Sequence, residues 1–355
     1  MNTFFKSLFF CLLASSSLHA SSGLSCCGSD DGHAGHFSDG RAPLSIMGDH
    51  THSAGGWMFA YRHLQSSMDG LRSDDSQFST NALFAEGYQV APLRMEMKME
   101  MLGVMYALSS DLTLMLMAHY HEMEMDHLKL QGSTFFSTHS QGWGDTQLMA
   151  LYRLQENERQ RLHLQLGLSL PTGSITEKDY LPAMMGWEKR VLPAAMQLGS
   201  GTVDLIPALT YVKRMTSFSC GVQGRAIIRL QAENSQNYRR GNLLQINGWA
   251  AYRASSFLAL NAGLSYTLTG RLRGDQQGVA QSMSMGGKPT VPTALAGNYG
   301  GQRADMLAGL YLDLPAKYMP GQRVAFDVRI PVYQNLNGYQ LATDWQYSIG
   351  WEFAF

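Results

Sequence analysis

The chain has 355 residues and a formal net charge of −1, with 45% hydrophobic and only 15% charged residues. A charge this close to zero does not indicate nucleic-acid binding. No segment after the first twenty residues has 18 unbroken apolar residues, so the sequence predicts no membrane-spanning helix. Few charges, 36 Gly and 16 Tyr together favour a transmembrane β-barrel, in which apolar residues occupy alternate positions.

The N-terminal residues predict export. Lys6 precedes an apolar run over residues 8–14, and a small-residue cleavage site follows near Ala20. This pattern predicts a signal peptide over residues 1–20. Residues 21–56 are rich in Gly, Ser, Asp and His without periodicity, and we expect a flexible periplasmic tail there. Lipidation at Cys26 is a further alternative that the sequence leaves open.

Residues 57–355 alternate between apolar and polar side chains in segments long enough to cross a bilayer. Short and long connections between the segments also alternate, as the two ends of a bacterial barrel require. A soluble β-sandwich is the alternative, but it has no reason for this alternation of loop lengths. The sequence therefore predicts an all-β protein, a transmembrane antiparallel barrel of about 12 strands, over residues 57–65, 95–108, 112–125, 143–154, 161–170, 203–214, 218–231, 243–253, 257–269, 304–314, 322–332 and 344–355.

The last predicted strand indicates where the protein resides. Tyr347, Ile349, Trp351, Phe353 and Phe355 alternate with small or polar residues up to the end of the chain. This ending resembles the insertion signal of bacterial outer-membrane barrels. It implies the bacterial outer membrane as location, membrane lipid as surroundings, and the barrel-assembly machinery as a partner that recognises Phe355.

The second and third predicted strands carry the most unusual pattern of the sequence. A three-residue turn, Ser109 to Asp111, keeps directly paired residues on one face, pairing Lys98 with Glu122 and Val104 with Leu116. The opposite face then points into the lumen. It carries what we call the methionine stripe: Met97, Met99, Met101, Met115, Met117, His119, His121 and Met123.

Two interpretations of the methionine stripe stay open. Thioethers and imidazoles suit soft ions such as copper, and the tail adds thiols and imidazoles, so the sequence predicts a candidate metal site formed by the stripe with Cys26, Cys27, His33 and His36. Alternatively, methionine simply fills irregular space and the histidines are neutral lumen residues. Copper is the one cofactor that the sequence indicates.

An enzyme is not expected. The sequence has no nucleophile-elbow, zinc-protease or phosphate-loop motif, so we predict no catalytic residues. Some outer-membrane barrels are hydrolases, and a wall-bound hydrolase or a plugged structural barrel remains an alternative.

Several segments together resemble the putative outer-membrane transporters of the MetA-pathway-of-phenol-degradation family. They are Gly142-Trp143-Gly144-Asp145, Leu151-Tyr152-Arg153-Leu154, Leu170-Pro171-Thr172-Gly173 and Leu198-Gly199-Ser200-Gly201-Thr202-Val203-Asp204-Leu205-Ile206-Pro207. A Met/His-rich subgroup is similar in Arg41-Ala42-Pro43-Leu44 and Met47-Gly48-Asp49-His50. The resemblance implies a channel for small, often apolar or aromatic, molecules. We therefore expect an outer-membrane channel for a small solute, with a soft metal ion such as copper as the favoured substrate and a small apolar or aromatic molecule as the alternative.

Overall fold

The computed structural model describes residues 40–183, 186–276, 278–279, 284–285, 288–315, 317 and 319–355. This part of the chain is almost entirely β-structure. The strands are β1 Trp57–Asp74, β2 Ser76–Phe78, β3 Val90–Ala107, β4 Leu112–Lys129, β5 Thr134–Trp143, β6 Thr146–Asn157, β7 Gln160–Leu170, β8 Lys178–Ala183, β9 Gly186–Val191, β10 Asp204–Arg214, β11 Phe218–Arg229, β12 Tyr238–Arg239, β13 Leu243–Arg253, β14 Leu258–Thr269, β15 Arg273–Gly274, β16 Ser284–Met285, β17 Lys288–Pro289, β18 Gly301–Asp313 and β19 Gln322–Ala354.

Helical structure is minor in the described residues. It comprises one α-helix, α1 Thr80–Ala85, and short 3-10 segments at Gln131–Ser133, Ala194–Met196, Pro292–Ala294 and Ala296–Asn298. Across the described ranges, no helix has the length and apolar character needed to cross a bilayer.

The strands close into an antiparallel barrel. The hydrogen-bonded order is β1, β3, β4, β6, β7, β10, β11, β13, β14, β18 and β19, and β19 pairs back onto β1, while β2 and β5 lie outside this ring. The seam is closed at the chain end, where the Trp57 amide donates to the Phe355 carbonyl at 2.8 Å. Closure leaves no strand edge unpaired in the ring.

The ring has twelve strand positions because β19 fills two of them. Its 33 residues would extend roughly 110 Å at about 3.3 Å per residue, far more than a membrane crossing needs. Instead, the part up to Leu336 pairs with β18 and the part up to Ala354 pairs with β1. The chain reverses at Gly338, whose φ of 62° suits glycine in a tight turn. An all-antiparallel ring requires an even number, so the predicted twelve-stranded barrel is confirmed.

The predicted faces of the strands are confirmed by burial. On β7, Leu164 and Leu166 are exposed on the outer wall, while His163 and Gln165 are buried inside. The β3–β4 register also matches the prediction, since Lys98 pairs with Glu122 and Val104 with Leu116. Period-two alternation therefore divides a lipid-facing exterior from a polar or sulfur-rich interior.

Aromatic residues form a band around each end of the outer wall. At the end where β1 begins and β19 finishes, these residues are Trp57, Phe59, Tyr252, Phe218 and Phe355, all exposed. At the other end, Trp143 and Tyr120 pack edge to face with ring centroids 5.5 Å apart. Two such bands mark the membrane interfaces of a transmembrane barrel. Bacterial outer-membrane barrels have short turns at the periplasmic end, so the end of this barrel with short turns is the periplasmic one.

At the external end the strands extend beyond the predicted limits. β1 continues to Asp74, β3 starts at Val90 and β4 runs to Lys129, and β5 adds a strand that the prediction lacked. The predicted loop over residues 333–343 is instead part of the β19 hairpin. The lipid-facing alternation ends where the membrane ends, whereas backbone hydrogen bonding continues into water. Sequence periodicity therefore marks only the membrane-crossing part of each strand.

Residues 40–56, which we call the lumen segment, lie inside the barrel. Ala42, Leu44 and Ile46 are buried against wall residues such as Trp249 and Ala325. This corrects the predicted flexible tail for residues 40–56, because individual lumen side chains bind the segment without any periodic pattern. The signal peptide and residues 21–39 fall outside the described residues, so that part of the domain division stays a prediction.

Candidate functional site in the barrel lumen

The methionine stripe lies on the inner wall as predicted. Opposite residues of β3 and β4 form three consecutive inward-facing pairs, Met97 with Met123, Met99 with His121, and Met101 with His119. Met115 and Met117 continue the stripe toward the periplasmic end, and both are buried. Directly paired side chains in an antiparallel sheet have Cβ atoms about 5 Å apart. The stripe is therefore a continuous wall of thioethers with two imidazoles at its middle.

Both ends of the stripe belong to packed apolar clusters. Toward the periplasm, Met101, Met115 and Met117 pack with Met58, Met149 and Leu151, and Met47 of the lumen segment contacts them. Toward the outside, Met123 packs with residues from β5, β8 and the segment after β9, namely Phe136, Leu181, Leu192, Met196 and Leu198. Methionine fills irregular gaps well, so packing accounts for much of the stripe.

The two histidines occupy the polar middle of the stripe. The ring centroids of His119 and His121 lie 6.3 Å apart. His119 Nδ1 lies 3.2 Å from the Asp145 carbonyl oxygen and donates to it, which leaves its Nε2 free of this bond. The Asp145 carboxylate in turn accepts from the Gly173 and Ser200 amides at 3.0 and 2.8 Å. Asp145 therefore joins the connection between β5 and β6 to the two loops that contain Gly173 and Ser200.

Two arginines lie near the histidines of the stripe. Arg225 is within electrostatic range of His119, and Arg240 is within range of His121. Arg240 also donates to the Gln197 carbonyl at 2.8 Å, whereas Arg229 is neutralised by an ion pair with Asp204. The middle of the stripe therefore combines a polarisable, sulfur-rich surface with positive charge close by.

An ionic cluster holds the lumen segment together. The Asp49 carboxylate accepts from the Ala42 amide at 3.0 Å and from His50 Nδ1 at 2.6 Å. Arg41 Nη1 lies 2.6 Å from both ring nitrogens of His50; because Nδ1 already donates to Asp49, Nε2 is the nitrogen that can accept from Arg41. Glu352 of β19 completes the cluster, 3.8 Å from Arg41 and 3.1 Å from Arg62.

Wall side chains bind the backbone of the lumen segment at many points. The donors span the barrel, and each bonds to a carbonyl of the segment: Arg62 to Leu44 at 2.6 Å, Gln223 to Met47 at 2.9 Å, His163 Nε2 to Gly48 at 2.8 Å, and Tyr311 to Ala42 at 2.7 Å. One cavity between the segment and the methionines beneath it has a volume of about 20 Å³, roughly the room of one water molecule. The segment therefore packs closely against the periplasmic end of the methionine stripe.

The structure brings together some of the predicted site residues. All eight residues of the methionine stripe share one face, whereas Cys26, Cys27, His33 and His36 lie outside the described residues. Within the described part of the chain, no group of three or more His, Cys, Asp or Glu residues is arranged to hold a metal ion. This result does not address thioether ligands. The predicted metal site therefore stays a proposal.

Sequence reasoning missed the residues that anchor the lumen segment. Asp49, His50 and Glu352 are buried and paired. One signal was present: the apolar residues Ala42, Leu44 and Ile46 within a polar tail predict a buried face. A second was the large inward side chains of Trp249 and Tyr311, whose N–H and O–H groups need partners inside the barrel. Their partners are the Gly40 and Ala42 carbonyls.

Comparison with solved structures supports the architecture. The COG4313 outer membrane channel from Pseudomonas putida F1 shares 14% identity over 88% of this chain and 100% of that chain, with a TM-score of 0.61. The fold is that of a bacterial outer-membrane β-barrel. At this identity the likeness establishes the fold alone. It agrees with the two aromatic bands and the apolar outer wall described above.

More distant barrels are also similar. The transport unit of the autotransporter AIDA-I from Escherichia coli shares 9% identity over 88% of this chain and 94% of that chain, with a TM-score of 0.49. The CymD monoaromatic hydrocarbon channel shares 8% identity over 86% and 89%, with a TM-score of 0.38. No family model and no curated protein matches the sequence.

The histidines of the lumen segment predict that acid favours its release. Burial, reinforced by Arg41, lowers the pKa of His50, and burial lowers the pKa of His52 to about 2. A released segment regains ordinary histidine pKa values of about 6.5, so it binds more protons than the docked one once the pH falls below that value. The charged groups facing His50 are Arg41, Asp49 and Glu352, with His52 and His163 nearby.

We therefore expect the lumen segment to become more accessible to limited proteolysis as the pH is lowered from 7.5 to 5. Burial disfavours the Asp49 carboxylate, but His50 and Arg41 outweigh it and hold its pKa below the usual range, so Asp49 stays charged throughout this interval. The double variant His50→Gln, His52→Gln should have a flatter pH profile of proteolysis, whatever its rate at pH 7.5. An unchanged slope in that variant would contradict the assignment.

Proposed function

We propose that this protein is an outer-membrane channel for small solutes, and that the lumen segment is its gate. The observation that carries the proposal is the nature of the obstruction. Residues 40–56 are no part of the strand ladders that form the barrel, and wall side chains hold their backbone. The segment can therefore leave the lumen without breaking a single strand pairing.

The fold comparison and the family resemblance support a channel. The Pseudomonas putida protein of similar fold is described as an outer membrane channel. The resemblance to the MetA-pathway family, noted from the sequence, implies passage of small molecules as well. A permanently plugged structural barrel would need no separable segment.

The lumen around the methionine stripe favours a small amphipathic organic molecule as solute. The methionine stripe offers polarisable apolar surface. Near its middle, Arg225 and Arg240 lie within electrostatic range of the two histidines, and they would repel a free cation there. A molecule with an apolar body and a polar or anionic group matches both features.

A soft metal ion such as copper is the second candidate. The observation in its favour is that Met99 is directly opposite His121 and Met101 directly opposite His119. Two thioethers and two imidazoles on adjacent pairs form a donor set that suits Cu(I). The stripe residues Met97, Met115, Met117 and Met123 would extend the route, and Cys26, Cys27, His33 and His36 would supply ligands from the predicted tail.

One variant separates the two candidates. Replacing Met97 and Met99 by Leu, and His119 and His121 by Gln, keeps apolar volume and hydrogen bonding but removes the soft ligands. We expect proteoliposomes with this variant to take up a small aromatic acid at a rate within about threefold of wild type, because leucine is a near-isosteric replacement for methionine. Copper accumulation should also be unchanged.

Loss of copper accumulation, with the uptake of organic acid retained, would instead establish the metal route. A second variant, Met99→Lys, places a charge on the apolar side and should slow organic uptake. If the barrel passes neither solute and shows no conductance even after removal of the lumen segment, the channel proposal fails and a structural barrel remains.

A further inference from the structure

A cavity of about 510 Å³ lies inside the external mouth of the barrel. Its wall is formed by the outer parts of β4 and β5, its cover by the β8–β9 hairpin and the segment that follows it, and its side by residues 290–293. Small-molecule sites in proteins typically enclose roughly 300–1,000 Å³. The cavity is therefore large enough for a ligand of one or two rings.

The floor of the cavity is apolar and partly aromatic. Met125, Phe136, Leu192 and Met196 line it, and all four are buried members of one apolar cluster. The rings of His127 and Phe136 are stacked, with centroids 4.8 Å apart and an interplanar angle of 9°. A flat apolar ring would contact sulfur and aromatic surface here, an environment that favours planar hydrocarbon groups.

Basic side chains line the same cavity. His127 is 7% exposed; its ring lies near the backbone of Met125 and Phe136, and no hydrogen bond of normal geometry satisfies its buried Nδ1. Lys129 also lines the cavity and has no ion pair within the described part of the chain, whereas Arg190 is paired with Glu188 at 2.6 Å. A buried ring nitrogen left without a partner costs free energy unless a ligand or water satisfies it. The polar side of the cavity therefore carries net positive charge and an unused donor.

The geometry points to a binding site for a small ring carboxylate in this cavity, with the ring on Met125, Phe136 and Met196 and the carboxylate held by Lys129 and the His127 Nδ1–H group. This inference rests on the proposed channel function and specifies the solute that it collects. The cavity also has the right position. Met125 follows Met123 on the same face of β4, so the external end of the methionine stripe begins at the cavity floor.

The test is equilibrium binding of radiolabelled benzoate to purified full-length protein in detergent. We expect saturable binding, weakened roughly tenfold or more in Lys129→Gln, because a charge-assisted contact is lost. The matched control is Lys98→Gln, which removes an exposed lysine that is paired with Glu122 and does not line the cavity. His127→Phe keeps the aromatic stack and should also weaken benzoate binding.

Two further ligands separate the roles of ring and charge. Toluene, which has the ring without the carboxylate, should compete weakly and equally against wild type and Lys129→Gln. Acetate, which has the carboxylate alone, should not compete. Absence of saturable benzoate binding, or equal affinities in Lys129→Gln and Lys98→Gln, would overturn the site.

The binding test and the channel proposal can fail separately, because benzoate binding in detergent requires no transport. Benzoate binding without conductance in a barrel that lacks its lumen segment would retain the site and reject the channel. Conductance without binding would do the reverse.

Discussion

Deleting residues 41–50 is expected to convert a mostly closed barrel into one with frequent, long-lived open steps in planar bilayers. The deletion removes Arg41 and Leu44, which hold the segment against Glu352 and the apolar wall, and Asp49, which accepts from the Ala42 amide within the segment. It retains the tie between residues 55–56 and Ala107, where the chain enters β1. The barrel ladders should therefore form as before, which a heat-dependent mobility shift on electrophoresis would verify.

Asp49→Asn provides a milder form of the same change. It keeps the size of the side chain but loses the charge that accepts from His50 Nδ1 and the Ala42 amide. Hydrogen bonds to a charged group contribute about 1.5–3 kcal/mol, so the open population should rise roughly tenfold to a hundredfold. Asp75→Asn, an exposed carboxylate at the external end, is the control. Conductance equal to wild type in both the deletion and Asp49→Asn would show that the segment does not gate the lumen.

A lysine in place of Leu166 is expected to destabilise the folded barrel in lipid by about 2–4 kcal/mol, because it places a charge in the middle of the hydrocarbon. Leu166 is 53% exposed on the outer wall near the middle of β7. Leu170 lies on the same face of the same strand but at its external end, close to the aromatic band. Leu170→Lys should therefore cost only about 0–1 kcal/mol.

The measurement is reversible folding into phospholipid vesicles as a function of denaturant concentration. The two variants make the same chemical change on the same strand, so helix or strand propensity and overall charge cancel between them. Equal destabilisation would mean that the outer wall is not graded by depth in a bilayer. That result would contradict the assigned membrane orientation of the barrel.

The sequence predicted the barrel because its evidence is local and repeated. An alternation such as that of Leu164 to Leu168 on β7 specifies which side of a strand faces lipid, and each neighbouring strand repeats the information. The register of β3 and β4 followed from one three-residue turn, because a shift by one residue would have moved every methionine to the outer wall. The methionine stripe was therefore placed correctly before any tertiary contact was known.

The candidate site was predictable only in part. The pairing of Met99 with His121 across β3 and β4 was expected. The position of Arg240 near His121 was not, because Arg240 lies in a loop more than a hundred residues away in the chain. The cavity at the external end was also not foreseen. Lys129 lies at the outer end of β4 and Arg190 lies in β9. Both positions are outside the segments whose apolar–polar alternation predicts membrane crossing.

The sequence by itself determined the closed twelve-stranded wall, its two faces and the methionine stripe, since each depends on neighbours one or two residues apart or across one turn. Only the tertiary structure decided that residues 40–56 lie inside the barrel and that a cavity remains above them. Those features arise from single contacts such as Ala42 with Tyr311 or Met47 with Gln223, which join residues far apart in the chain and repeat with no period. A hydrogen bond of this kind leaves no pattern in the sequence, because any buried donor near an open carbonyl can make it.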